Sequence, residues 1–471
     1  TKSNDDKVAS SDDKKGGANK SGGKKASGKA PRGILKKKGG DEDSKKDSAK
    51  DDANQKKPSE DKKTNANSSK TPSEEESARN TRLVDNGACF LDYLARVEKR
   101  QINMFWPNSI HAWGKRLETE KFYGLGIKFH EGPGFVLPLE TIRADYKEGK
   151  KYRMNAFYIA MRKKYTPWFN PGDKPEGGKW SYDEENRKTA AEFANSTNKP
   201  VELSELDETD AEYVAAIRYS ARFKTIGKAC RYPLNAEEAE AWFDHFLKKN
   251  FNHFGNYEDI SLRESNTVFH SVLSSSLNVG LLTPAHVVGK AGKYWTDHKN
   301  DVPLASAEGF IRQILGWREF MHMIYVINPG IEKKNYFEHR RQLSRAWYEA
   351  STGYEPLDII IRDVLDTGYT HHINRLMFLS AGMFLNQIVP RQIHEWFMEM
   401  FIDAYEWVMP GNIEMGQWNA EGLLSARPYF SSAAYFKRMG NYDGNLGDWE
   451  GRWNALYYNA LNTHAEKLSK L

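Results

Sequence analysis

From about residue 236 onward, apolar residues return at steps of three and four, the spacing that lines one face of a helix. Segments 236–250, 307–325, 357–365, 370–385 and 391–408 each carry this period, and little between them alternates as a strand would. These segments predict one large helical domain over 201–471, long enough to bury an ample core. Ahead of it the pattern changes. Residues 80–165 mix a helical stretch at 88–100 with short apolar runs at 102–106, 124–129 and 134–137. Such fragments read as a truncated or degenerate α/β domain. Residues 166–200, beginning Thr166-Pro-Trp-Phe-Asn-Pro-Gly172, are rich in turn formers and read as a linker. The predicted fold is therefore mainly α, a helical bundle preceded by a reduced α/β unit.

Residues 1–79 show no period, and composition explains why. They contain no Phe, Trp, Tyr, Cys or Met. A segment so poor in apolar area cannot offset the entropy of ordering, so a disordered tail is expected. The tail holds 21 Lys and Arg against 15 Asp and Glu, or +6 of the chain's formal +5, which leaves 80–471 at −1. Nucleic-acid affinity in the folded part must come from a local patch rather than bulk charge. The run Arg32-Gly-Ile-Leu-Lys-Lys-Lys38 reads as solvated linker, with nuclear import or loose nucleic-acid anchoring as alternatives. No apolar run is long enough to cross a membrane and no leader is visible, though the chain begins at Thr1. Cys89 and Cys230 match no metal spacing and fit a soluble protein of a reducing compartment, the nucleus or an organelle included.

Candidate chemistry concentrates in the helical region. Gly368-Tyr-Thr-His-His-Ile-Asn-Arg-Leu-Met377 places His371 and His372 within one turn of Arg375, beside the apolar Ile373, Leu376 and Met377. A cation and two rings carried inward need an acidic or anionic partner. Asp403 is the natural one, because Trp396, Met400 and Asp403 repeat at helical spacing and set the carboxylate on an apolar face. A purely structural ion pair is the plainer reading.

Two further segments join it. Phe269-His-Ser-Val-Leu-Ser-Ser-Ser-Leu277 sets hydroxyls ahead of a helical run, where phosphate is favoured; N-capping by Ser274 or Ser275 is the alternative. In Gly309-Phe-Ile-Arg-Gln-Ile-Leu-Gly-Trp-Arg-Glu-Phe320, Gln313 and Trp317 share a face and Gly316 permits close approach, which suits a planar ligand. Alternatively Trp317 fills core, with Arg318 and Glu319 at the surface.

Taken together, these motifs resemble the photolyase/cryptochrome superfamily. The likeness runs from about Gly149 to Tyr442, through Glu176-Gly-Gly-Lys-Trp180, Glu185-Asn-Arg187, Phe269-His-Ser271, Arg312–Phe320, His371–Met377, Asp403-Ala-Tyr-Glu-Trp-Val-Met409 and Lys437-Arg-Met439. It is strongest to the prokaryotic branch that carries an iron–sulfur cluster and repairs (6-4) photoproducts. The resemblance implies a helical domain holding FAD. By family position Tyr257, Ser271 and Ser274 lie near the phosphates, and Gln313 and Trp317 near the adenine side and the substrate mouth. Arg375, Asp403 and Asn412 fall near the isoalloxazine ring. His372, with His371 beside it, takes the place of the catalytic proton donor. Tyr348, Trp396 and Tyr435 match aromatics implicated in photoreduction of the flavin. Damaged DNA is the implied partner.

Departures from that branch are equally plain. Pro356 stands at the first cluster-ligand position, and Asn441–Trp453 holds no cysteine where the others belong, so no cluster is expected. Trp449 and Trp453 are expected to fill that volume. The loop 408–417 is one residue short, and its Glu414 is expected to bring a carboxylate against the flavin ring. The reduced amino-terminal region leaves the antenna chromophore undetermined. The chain thus admits three readings: a light-driven (6-4) photolyase without its cluster; a cryptochrome-like blue-light receptor that signals through protein partners; and a degenerate relative with a structural or assembly role and no flavin.

Overall fold

A computed structural model describes residues 103–105, 128–130, 132–200, 232–417, 419–425, 429–442 and 446–469. The expectations for the tail 1–79, for 88–100 and for Cys89 and Cys230 lie outside them. Two of the short apolar runs predicted as strand pieces form a parallel pair, Asn103–Phe105 with Lys128–His130.

Beyond this pair the described chain is mostly helical, and local chemistry sets the helix ends. Ala236–Lys249 starts at Asn235, whose side chain accepts from the Glu238 amide at 2.8 Å. Acids occupy its first turn and lysines its last, each complementing the helix dipole, and Ala239, Phe243, Phe246 and Leu247 face the core. Pro284–Asp297 starts on a Thr283 cap with proline at its first position. Leu304–Ile311, Arg312–Arg318 and Glu319–Ile327 run on as one rod whose middle turns are π-helical. Asn374–Ser380 is π-helical too, and continues into Ala381–Leu385. Such wide turns shift the side-chain register locally and recur at functional sites.

The period at 391–408 overstates its helix. Pro390–Met400 stops where Phe401 turns extended (φ −111°, ψ 132°), and the Ile402 amide donates to the Gly368 carbonyl at 2.9 Å. Asp403 therefore sits in a loop, not on the helix face that its spacing suggested. A separate helix, Met409–Gln417, then packs on Asn374–Ser380, with Gly416 so close to Ser380 that a Cβ would fall 2.5 Å from the serine Cβ.

Residues 132–165 pack directly onto this helical body. Glu319, expected at the surface, is fully buried and accepts from the Val136 and Leu137 amides at 2.9 and 3.0 Å. Gly316 meets Met154 and Tyr158 of the Met154–Tyr165 helix, so its close approach serves helix packing rather than a ligand. Residues 166–186 are a string of short 3₁₀ turns tied down by buried Arg162, which donates to Asn170 Oδ1 at 3.1 Å and the Trp180 carbonyl at 2.8 Å.

One extended core fills the helical body, with Trp396 and Trp453 among its largest fully buried side chains. Trp453 stands 4.6 Å from Phe436, ring to ring, and donates its indole N–H to the Ser431 carbonyl at 2.9 Å. A Cβ on Gly382 would meet Leu357, Trp347 and Trp453 at 3.0, 3.3 and 3.3 Å, so the chain beside buried Pro356 and the tryptophan helix close on one another. No helix among the described residues is long and apolar enough to cross a membrane.

Candidate functional site

A cavity opens where the two π-helical segments face the Ser274–Val279 helix and the loop that carries Asp403. It encloses about 1030 Å³ of empty space, counted out to its mouth. Ser271, Ser274, Gln313 and Trp317 contribute to its wall, and so do His372, Arg375, Asp403 and Asn412.

Arg375 and Asp403 close its floor. Both are buried, and they meet through two parallel bonds, Nη1 to Oδ1 at 2.9 Å and Nη2 to Oδ2 at 3.0 Å. Nε donates to the Thr370 carbonyl at 2.7 Å, and the guanidinium lies 4.2 Å from the centre of the Phe401 ring. Asp403 also accepts from Ser274 Oγ at 2.6 Å, so Ser274 orients the carboxylate instead of capping its helix. Each nitrogen of the guanidinium and each oxygen of the carboxylate thus has a partner, which favours tolerance of a buried ion pair.

The side of the cavity is formed by histidines. His270 Nδ1 lies 2.9 Å from the Thr267 carbonyl, so this nitrogen carries the proton and Nε2 keeps its lone pair. That lone pair faces His372 Nδ1 at 3.1 Å, while His372 Nε2 lies 3.4 Å from Asp259 Oδ1. Both contacts of His372 are satisfied when both of its nitrogens carry protons. Burial lowers the pKa of His270 to about 3, which holds it neutral. His371 lies behind this wall, 1% exposed, stacked on His270 with ring centres 4.7 Å apart.

Opposite, Gln313 donates to Glu258 at 3.1 Å, and Arg312 reaches the same carboxylate at 3.2 Å. Burial still pushes the Glu258 carboxyl up to about 8. Arg318, which also lines the cavity, has its guanidinium against the rings of Phe135 and Trp407, 4.4 and 4.8 Å from their centres. It donates to the Gly134 carbonyl at 2.7 Å and to Asn278 Oδ1 at 3.3 Å, and burial lowers its pKa to about 10. No carboxylate among the described residues lies within ion-pair distance of it.

Other predicted residues sit apart from the cavity. Tyr257 is drawn into a small cluster with Ile260, Leu262, Val268, Phe269 and Met439, and Tyr435 borders that cluster. Trp396 is fully buried, donates to the Trp347 carbonyl at 3.2 Å and lies 5.9 Å from Phe401, whose ring carries Arg375. Tyr348 follows Trp347 and donates to Glu399 at 3.2 Å. Glu414 turns away from the cavity. It accepts from the Ala420 and Gly422 amides, and burial pushes its carboxyl up to about 8.

Sequence reasoning overlooked Arg318 as a cavity residue, and overlooked the contacts of His372 with His270 and Asp259. Arg318 directly follows Trp317, but neighbours in sequence do not share a helix face, so the spacing carried no signal for it. The histidine contact spans 102 residues and has no local signature.

Two family models match the chain. Residues 76–231 match the family model described as deoxyribodipyrimidine photo-lyase-related protein, and 310–455 match the FAD binding domain of DNA photolyase. A (6-4) photolyase from Agrobacterium fabrum is 31% identical over 412 residues, covering 83% of this chain and 79% of its own length. A deoxyribodipyrimidine photo-lyase from Escherichia coli is 24% identical over 222 residues, covering 42% of each chain. Among solved structures, a bacterial class III photolyase from Agrobacterium tumefaciens aligns with TM-score 0.45 and 17% identity, over 70% of this chain and 64% of that one. The chain belongs to the photolyase/cryptochrome superfamily.

Proposed function

We propose that the cavity holds FAD and that the protein carries out light-driven repair of pyrimidine (6-4) photoproducts in DNA. The observation that carries this reading is the position of His372, a side chain able to hold two protons, on the wall of the cavity that Arg375 and Asp403 close. The wall suits a dinucleotide. Arg318 offers a desolvated cation that a pyrophosphate would meet, and Trp317 a planar apolar face. Ser271, Gln313 and Asn412 add polar groups, and the Arg375–Asp403 pair gives fixed donors and acceptors for a ring edge.

When bound, the flavin would supply light-driven transfer of one electron; the protein supplies orientation, a dry wall and protons. A lesion reached this way must leave the duplex, and His372, a cavity residue about a third exposed, is open to it. His372 then gives its proton to the lesion, with Asp259 and His270 fixing the ring. His371, with no solvent access, supports His270 by stacking. Trp396, with Tyr348 beyond it, is the aromatic route toward the cavity.

An iron–sulfur cluster does not fit this chain. Such clusters are held by four thiolates, and the chain has two cysteines, Cys89 and Cys230. Packing of Trp453 against Gly382 and Phe436, beside Pro356, supports a version of the fold closed by aromatic side chains.

The test has two stages. The purified protein should absorb in the blue with the vibronic bands of bound flavin; a colourless, folded protein would leave a structural or assembly role. A (6-4)-containing oligonucleotide should then be repaired under blue light, and flavin without repair would indicate a light receptor.

A further inference from the structure

His371 is the least explained side chain of the site. It is 1% exposed, and neither of its ring nitrogens has a hydrogen-bond partner. Buried polar atoms are ordinarily matched, so an unmatched ring beside a cavity points to something that binds it. Its neighbours are two more imidazoles. His270 stacks on it at 4.7 Å between ring centres, and His270 Nε2 faces His372 Nδ1 at 3.1 Å. One nitrogen from each of the three rings falls within 4.8 Å of the others.

We propose that His270, His371 and His372 form a three-histidine site for a zinc-like divalent transition-metal ion at the wall of the cavity. Neutral imidazole is the ligand such ions take, whereas magnesium and calcium prefer oxygen. Burial keeps His270 and His371 neutral, so both carry free lone pairs at physiological pH.

The outer contacts of two of the three rings fit as well. Metal-bound histidines direct their second nitrogen at a carbonyl or carboxylate. His270 does so toward the Thr267 carbonyl at 2.9 Å, and His372 toward Asp259 at 3.4 Å. Three nitrogens bound at about 2.0–2.1 Å stand roughly 3.3 Å apart in a tetrahedral site, so the rings must close from up to 4.8 Å and His371 must swing out of its near-parallel stack on His270 to aim its lone pair at the ion. The fourth position would face the cavity, open to water or ligand. Uptake displaces the Nδ1 proton of His372 to solvent, because that nitrogen becomes a ligand. Metal binding therefore takes the Nδ1 proton out of any transfer and leaves His372 only the Nε2 proton that faces Asp259. The site itself does not depend on the light-driven reading, since uptake is measured directly.

The experiment uses the full, tag-free chain as purified, stripped with a chelator and equilibrated with Zn²⁺ against a chromophoric competitor. One equivalent of Zn²⁺ is expected to be retained per chain. His371→Leu and His270→Gln should each weaken affinity by about a hundredfold or more, and Asp259→Asn by roughly ten- to a hundredfold. Excess Mg²⁺ should not compete. Failure of the native chain to retain stoichiometric Zn²⁺ would overturn the proposal, as would unchanged affinity in either folded histidine variant. His270 is half-buried, so His270→Gln reports even if His371→Leu fails to fold.

Discussion

Arg375 and Asp403 meet face to face through two hydrogen bonds of 2.9 and 3.0 Å, although they stand 28 positions apart with a helix end between them. Removing either partner strands the other charge in the interior. Asp403→Ala should cost about 3–5 kcal/mol of stability. Thermal melts and flavin stoichiometry should fall together, since the same carboxylate closes the cavity floor. Asp403→Asn, which keeps a hydrogen-bonding group, should lose less stability.

His372→Ala is expected to abolish (6-4) repair, by a hundredfold or more, while flavin stays bound. Asp259→Asn should lower repair by a smaller factor, because it loosens the ring without removing it. Single-turnover repair under saturating light measures both. Unchanged turnover in His372→Ala would remove this histidine from the mechanism.

Glu414 predicts a pH dependence of stability. Its folded pKa, about 8, lies above the ordinary carboxyl value, so the neutral form is the one the fold accepts. Stability from this group is fully present below the unfolded pKa and is lost as pH rises toward and through 8. Above about pH 7, where the histidines lowered by burial are neutral in folded and unfolded states alike, melting temperature should therefore decline toward about pH 9. Glu414→Gln should flatten that decline by a few degrees at the alkaline end. The flattening is partial, since Glu258 is raised to about 8 as well.

Trp453→Ala should destabilise the fold by about 3–5 kcal/mol, the usual cost of a large aromatic cavity. The tryptophan is fully buried against Phe436 and Gly382, so little can collapse into the space. Chemical denaturation measures the loss. Metal analysis of the native protein should show no iron.

Trp396→Phe should slow photoreduction of bound flavin, because the indole is the oxidisable ring near Phe401 and Arg375. Transient absorption would read this directly. Loss of Tyr348 should have a smaller effect, as it lies nearer the surface with its hydroxyl on Glu399.

What the amino-acid order determined by itself is local. Steps of three and four predicted Ala236–Lys249 and Glu355–Thr367 to within a few residues, because the period reports which side of a helix avoids water. Charge bookkeeping also paired Arg375 with Asp403, since an interior cation needs an anion. Tertiary structure alone decided how polar groups were delivered and oriented. Asp403 reaches Arg375 from a loop, not from the helix face its spacing implied. Glu414 was turned toward two backbone amides, Tyr257 into another cluster, and His270 against His372 across 102 residues. A periodic pattern records burial along one element. Which buried groups meet depends on how separate elements pack, and no spacing in the chain encodes that.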